Sequence, residues 1–378
     1  MLPHRAPPCT PPTSMPGNPR MRSASAPRQR LRRLWLKVHR WVGLSLGIVL
    51  LVAALTGSAM LLAEPLDESL NQALFHVPDA STVDYRAVME RLKAELGPDA
   101  DITLRPPREE QESFQAHVRG SWTGTVYLHP ASGEILGRRG EAEGMMGVLF
   151  AVHSNLFAGE AGKAVLTVAA FAYLLMLASG VYLWWPNRWR NALSIRWSAG
   201  GRVALFDWHR VTGVVFGIFV LLAVLSGAYM AWPPIAGMVN GLSDTPPASP
   251  PLVSGGPARS QIVEPAVARA RAAFPEAAVG YVQVPAKASL PIRVRLRLPD
   301  DPHPNGLTSV WLHPNNAAPI RVDRWSDLSP GTQAYSYIYP FHTGELWGPV
   351  WTGLTFLVEA ALAAYSFTGL LLWWRRRR

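Results

Sequence analysis

Four histidines recur along this chain with fixed companions. His39 is followed by Gly43, Gly47 and Gly57, and His209 by Gly213, Gly217 and Gly227, at the same intervals. His153 is followed by Gly159, Gly180 and Trp184-Trp185, and His342 by Gly348, Gly369 and Trp373-Trp374, again at equal intervals. A neutral imidazole is the commonest nitrogen ligand for protein-bound metals. Iron in a porphyrin accepts one axial imidazole from each side, and facing helices are able to present the two ligands. Two repeats that each place one histidine at each of two levels therefore predict two bis-histidine haem b groups per chain. His39 and His209 would bind one, His153 and His342 the other, and together they would make an electron path. Two nitrogens alone make a poor zinc site, which wants four ligands. Arg40 and Arg210 directly follow the first pair. One reading sets them against haem propionates; the other makes them part of a positively charged membrane face. The glycines would let helices part around a flat ring, or simply pack closely.

The elements that must position these residues are membrane spans. Hydrophobic residues make up 49% of the 378 residues and charged residues 16%, too little charge for an ordinary soluble enzyme. Four apolar runs, 34–63, 164–185, 206–232 and 347–374, reach the roughly 20 residues that a helix needs to cross a bilayer. Between them lie two long connections, 64–163 and 233–346. Each reads as a small α+β domain: an amphipathic helix (83–97, 263–275), strand-like stretches (114–118, 292–298) and a hairpin-like piece (126–130, 310–314). The expected fold is a membrane all-α core of four transmembrane helices in two parallel repeats, plus two small α+β periplasmic domains. Parallel repeats are related by an axis along the membrane normal. That axis sets His39 opposite His209 at one face and His153 opposite His342 at the other.

Charge supplies the orientation. The formal net charge is +10, but 17 of the 36 Lys and Arg fall in residues 1–40, 186–204 and 375–378, which carry no acid. By the positive-inside rule these stretches are cytoplasmic, with both termini inside, and the two domains lie outside. The basic balance thus implies membrane lipid and no nucleic-acid partner. Residues 1–33 read as a disordered basic arm, 186–205 as a cytoplasmic loop and 375–378 as a tail. The first run is longer than a signal-peptide core and reads as a retained anchor. Cys9, the single cysteine, excludes a disulfide framework, a CxxC pair and a cysteine-ligated iron–sulfur cluster. With no Gly-rich nucleotide fingerprint, the electron donor must be another molecule, a quinol or a cytoplasmic reductase.

Other residues carry weaker signals. Glu359 lies mid-span where the other repeat has Ala170. It is either a hydrogen-bonded structural carboxyl or a proton relay beside a haem. Trp325, Tyr335, Tyr337 and Tyr339, just before His342, form either a substrate-docking groove or an interfacial aromatic belt. His129 and His313 each precede a proline and read as turn residues. His4, His76, His117 and His303 show no repetition and are unassigned.

The His39-Arg40-Trp41-Val42-Gly43 run with Thr56-Gly57, its repeat at His209, and the Trp-Trp span ends resemble the PepSY-associated transmembrane family from about residue 31 onward. The connections resemble PepSY domains, with His-Pro in the hairpin turns where the family pattern has Asp-Pro. The resemblance implies b-type haems on His39, His209, His153 and His342. It also implies electrons passed outward to a ferric siderophore of the hydroxamate (ferrioxamine) type, releasing Fe(II) in the periplasm. Two other functions are open to such a chain. A PepSY-type binding or regulatory module would leave the paired histidines unexplained, and a siderophore permease would have few spans and little polar pathway.

Overall fold

The computed structural model describes residues 25–78, 82–186, 188–241, 249–254 and 256–376. Helix α1 (Ser25–Leu70) is followed by the short α2 (Gln72–Phe75), α3 (Tyr85–Leu96) and strands β1 (Asp101–Arg105), β2 (Phe114–Arg119), β3 (Gly124–Leu128) and β4 (Ile135–Gly140). Then come α4 (Gly144–Asn155) and α5 (Gly159–Trp184). The second half repeats the order, with α6 (Gly201–Val215), α7 (Gly217–Ala231), α8 (Pro233–Gly241), α9 (Ser260–Ala273), β5 (Ala278–Val284), β6 (Ile292–Arg297), β7 (Thr308–Leu312), β8 (Pro319–Asp323), α10 (Pro330–Thr343) and α11 (Pro349–Trp374).

Three helices are long and apolar enough to cross a membrane: Arg28–Leu70, Gly159–Trp184 and Pro349–Trp374. A fourth crossing is made if α6 and α7, bent by 62°, act as one broken span. The expected continuous third span is thus two helices. The repeat explains where the bend falls. A Cβ on Gly217 would meet Leu177 of α5, and the Gly217 carbonyl accepts from the Tyr173 hydroxyl at 3.4 Å. A Cβ on Gly47, its equivalent, would meet nothing, and α1 runs through. Close approach of α5 to a glycine with no side chain lets the backbone turn there. The expected disordered arm also needs correction. Residues 25–33 form the first turns of α1, since no Gly or Pro interrupts residues 28–37 and Arg, Leu and Gln are good helix formers. Residues 1–24, with His4 and Cys9, lie outside the described residues.

The two expected small domains are joined in one sheet. Its strand order is β4-β3-β2-β1-β5-β6-β7-β8, antiparallel throughout. The seam is β1 against β5, with Ile102 opposite Val284 and Leu104 opposite Val282. Those four side chains point to the same face as Val88, Met89 and Leu92 of α3 and Val263, Ala266 and Val267 of α9, and all are buried in one core. Alternation puts every second strand residue on that face. Pairing the two inner strands removes two exposed edges that separate domains would have carried. Asp84 starts α3 by accepting from the Ala87 N–H at 2.9 Å. The sheet is tied to the helices by Asp67, near the end of α1, which meets Arg139 of β4 at 2.6 Å with both side chains largely buried.

Candidate functional site

The four histidines meet in two pairs. The rings of His39 and His209 stand 6.3 Å apart between centroids, and those of His153 and His342 6.0 Å. The second pair lies nearer the sheet. Each ring is anchored through Nδ1 by a dipeptide of one hydroxyl residue and one glycine. His39 Nδ1 lies 2.9 Å from Ser179 Oγ, and His209 Nδ1 3.0 Å from Thr368 Oγ1. His153 Nδ1 lies 2.9 Å from the Ala53 carbonyl and 3.4 Å from Thr56 Oγ1. His342 Nδ1 lies 3.1 Å from the Ala223 carbonyl and 3.0 Å from Ser226 Oγ.

These contacts fix the tautomer. A carbonyl only accepts, so His153 and His342 donate from Nδ1. The Ser179 hydroxyl donates to the Met176 carbonyl and the Thr368 hydroxyl to the Tyr365 carbonyl, so each can only accept from its histidine. All four rings therefore carry the proton on Nδ1 and leave the Nε2 lone pair for a ligand. This is the arrangement in which an outer partner orients a metal-binding imidazole.

The dipeptides are Thr56-Gly57, Ser179-Gly180, Ser226-Gly227 and Thr368-Gly369, one in each apolar run. The glycine gives the ring its room. A Cβ on Gly180 would touch His39 Cε1 at 3.4 Å, one on Gly369 His209 Cε1 at 3.3 Å, and one on Gly227 His342 Cε1 at 2.9 Å. Gly57 is the exception, because its notch receives the Glu359 carboxyl. Glu359 is buried; the Ser58 backbone N–H gives its carboxyl one hydrogen bond, while Oε2 finds no partner among the described residues.

The pairs fit a haem and not a bare metal ion. Among the described residues no group of three or more His, Cys, Asp or Glu is placed to hold a metal ion. A macrocycle supplies its own four nitrogens and asks only for one imidazole on each side. With an imidazole–metal bond of about 2 Å and a ring centre about 1 Å behind its nitrogen, two opposed rings would stand about 6 Å apart. Both observed pairs have that spacing. The layers are well separated: Ala53 and Thr56, which hold His153, follow His39 on α1 by about 21–26 Å of helix rise.

The arginines behave unequally. Arg210 is already engaged, donating to the Ser194 carbonyl at 2.9 Å and lying 3.5 Å from Asp207. Asp207, almost fully buried, also takes Arg196 at 2.8 Å. Arg210 Nε is buried with no hydrogen-bond partner among the described residues. Arg40 has neither a hydrogen bond nor an ion pair to a described residue.

The aromatic groove expected from the sequence is split. Tyr335 and Tyr339 are one helical turn apart on α10 and share a face. Both stack on His303, at 5.3 and 4.6 Å. Tyr337 points elsewhere, exposed, with Trp325 at 6.3 Å. His303 is 2% exposed. Its Nδ1 accepts from the Asn305 N–H at 3.0 Å, and its Nε2 has no partner. Burial, then Arg295, Arg108 and Arg297, lower its pKa from 6.5 to about 3. The unfolded chain protonates this ring near 6.5 and the folded chain only near 3, so its contribution to stability is full above 6.5 and is lost as pH falls through that window. Asp301, raised by burial, works in the opposite sense. His303→Gln should flatten the acid limb of thermal stability between those pH values; an unchanged limb would show that the ring is not buried as described.

His129 and His313 are turn residues as expected, their Nδ1 atoms accepting backbone N–H groups at 3.2 Å (Ala131) and 3.3 Å (Asn315). Sequence reasoning missed His303, Asp207 and the hydroxyls of Ser179 and Thr368. The last two had a signal, since both precede the glycines already picked out by the repeat.

Comparison with protein families finds that the PepSY-associated TM region matches residues 36–376. A search of curated proteins finds no match.

Proposed function

The chain belongs to the family of the PepSY-associated TM region and is a membrane protein, and from that footing we propose that it is a di-haem reductase passing electrons across the bacterial inner membrane to a ferric siderophore. The observation that carries this reading is the two-layer set of opposed imidazoles, each with Nε2 free and its Nδ1 proton already committed. In this reading α6 and α7 together make the fourth span, both termini are cytoplasmic, and the sheet is periplasmic. His39 and His209 hold the cytoplasmic-side group, His153 and His342 the periplasmic-side one. Haem b bound there supplies reversible one-electron chemistry. Arg40, with no partner among the described residues, is the better placed of the two arginines to meet a propionate; Arg210 would have to share its guanidinium with Asp207. The electron enters from a quinol or a cytoplasmic reductase and leaves to iron, converting Fe(III) to Fe(II). Hard oxygen chelators hold Fe(II) far less well, so the metal is released.

The protein's own contribution is orientation. Each imidazole is fixed by a hydroxyl or carbonyl on a neighbouring helix, and loss of such a partner typically costs about 10–100-fold in metal affinity. Thr368→Ala should therefore weaken haem retention in the His209 layer by about that factor, read by haem transfer to apomyoglobin. Retention equal to the parent's would remove the hydroxyl from the account.

Vesicles test the activity. With a reductant sealed inside and a ferric siderophore with a ferrous indicator outside, colour should form outside only when the haem-loaded protein is present. No colour above protein-free vesicles would overturn the reductase reading.

A further inference from the structure

At the seam between the two repeats, beside β1 and β5, a cleft of about 890 Å³ opens. It is lined by Arg108 from the first half, Arg271 and Arg297 from the second, and Pro304, with no acidic residue in its wall. Among the described residues, Arg271 and Arg297 find no side-chain hydrogen-bond acceptor and no ion-pair partner. Arg108 has one neutral partner, donating to Asn305 Oδ1. Burial, then the neighbouring Arg105, lowers the hold of Arg108 on its proton. Two carboxylates act from outside the wall: Glu112, the stronger on Arg108 and paired with Arg105 at 3.3 Å, and Glu345, which acts on both Arg108 and Arg297. A concave surface that gathers positive charge without balancing it concentrates anions.

A second observation points the same way. His303 stands next to Pro304, is buried, and carries its proton on Nε2, because Nδ1 is used as an acceptor. That N–H has no partner. An unmet donor in a buried setting costs about 1–3 kcal/mol, and the ring lies behind the wall, tied to it through Asn305, which accepts from Arg108 at Oδ1 and donates its N–H to His303 Nδ1. On its other side His303 stacks on Tyr339 at 4.6 Å, and Tyr339 is one turn before His342 on α10, so the chain Arg108–Asn305–His303–Tyr339 runs from the cleft toward the histidine layer.

We propose that this seam cleft binds a negatively charged, oxygen-rich ligand, and that on the reductase reading above this ligand is the substrate, a ferric chelate with free carboxylates. Arginine suits carboxylate because its planar fork makes two parallel hydrogen bonds. A ferric tris-hydroxamate brings three negative charges to a trivalent ion and has no surplus, so the hydroxamate class expected from family resemblance is not the class this cleft selects.

Gallium(III) citrate, which is redox-inert, tests the binding directly by titration calorimetry on the full-length protein in detergent, with gallium(III) desferrioxamine B as the comparator. The citrate complex should bind, and more weakly as salt rises. R271Q/R297Q should weaken it by at least about tenfold, as loss of two charge-assisted bonds requires, while leaving thermal stability unchanged, since both residues are exposed. H303F, which keeps a ring on Tyr339 but removes the Nδ1 that holds Asn305 and through it Arg108, should weaken it too. Binding of gallium citrate that ignores R271Q/R297Q, or equal binding of the desferrioxamine complex, would overturn the proposal. Reduction is scored separately. If the citrate complex binds as described but haem-loaded vesicles do not reduce ferric citrate, the cleft stands and the reductase reading falls. If reduction proceeds but is indifferent to R271Q/R297Q, the reductase reading stands and the cleft falls.

Discussion

His209→Ala should leave the purified protein with one b-type haem where the parent should hold two, and the one retained should be that of the His153–His342 layer. The reason is that the layers share no holding residue. His39 and His209 are positioned by Ser179 and Thr368. His153 and His342 are positioned by Ala53, Thr56, Ala223 and Ser226. Removing one imidazole would leave only its partner to hold a haem in that layer. The other layer lies about 20 Å further along α1 and keeps every contact. His342→Ala is the mirror case and should spare the His39–His209 layer. Loss of both haems from either variant, with the fold intact by circular dichroism, would contradict independent layers. Loss of neither would contradict the ligand assignment.

Phe114→Ala should destabilise the sheet by about 3–5 kcal/mol, as truncation of a fully buried aromatic does. The ring is fully buried and meets Tyr85 of α3 edge-on at 5.6 Å. The more telling result is where the damage spreads. If the two repeats were separate domains, only β1–β4 would loosen. With β1 paired to β5 and one apolar core running under both α3 and α9, the second half should loosen with the first. Hydrogen exchange by mass spectrometry should therefore show faster exchange in β6 and β7 as well as β2 and β3. Unchanged protection in β6 and β7 would show that the seam does not couple them.

The histidine layers were the most legible part of this protein, because duplication states each feature twice. The same duplication hid what is not shared. Gly47 and Gly217 are identical in sequence pattern, yet only Gly217 faces Leu177, so only the second half bends. Gly57 and Gly227 are likewise equivalent, yet one notch takes Glu359 and the other His342. The β1–β5 seam was not readable, since alternation tells which face of a strand is buried and not which strand lies alongside. Arg210 beside His209 suggested a propionate partner, but its neighbour Asp207 offers a full carboxylate two residues from that histidine and claims it. His303 has no repeat to mark it. Its burial comes from a turn in which Asp301 accepts the His303 and Leu307 N–H groups, a local device that a search for repeats passes over.

Haem stoichiometry measures most directly what the four Nε2 atoms bind. Protein expressed with ample haem and purified in detergent should give a dithionite-reduced minus oxidised spectrum of b type, and a pyridine haemochrome assay should return about two haems per chain, one for each bis-histidine layer. A folded, colourless protein after the same expression would contradict bis-histidine haem binding.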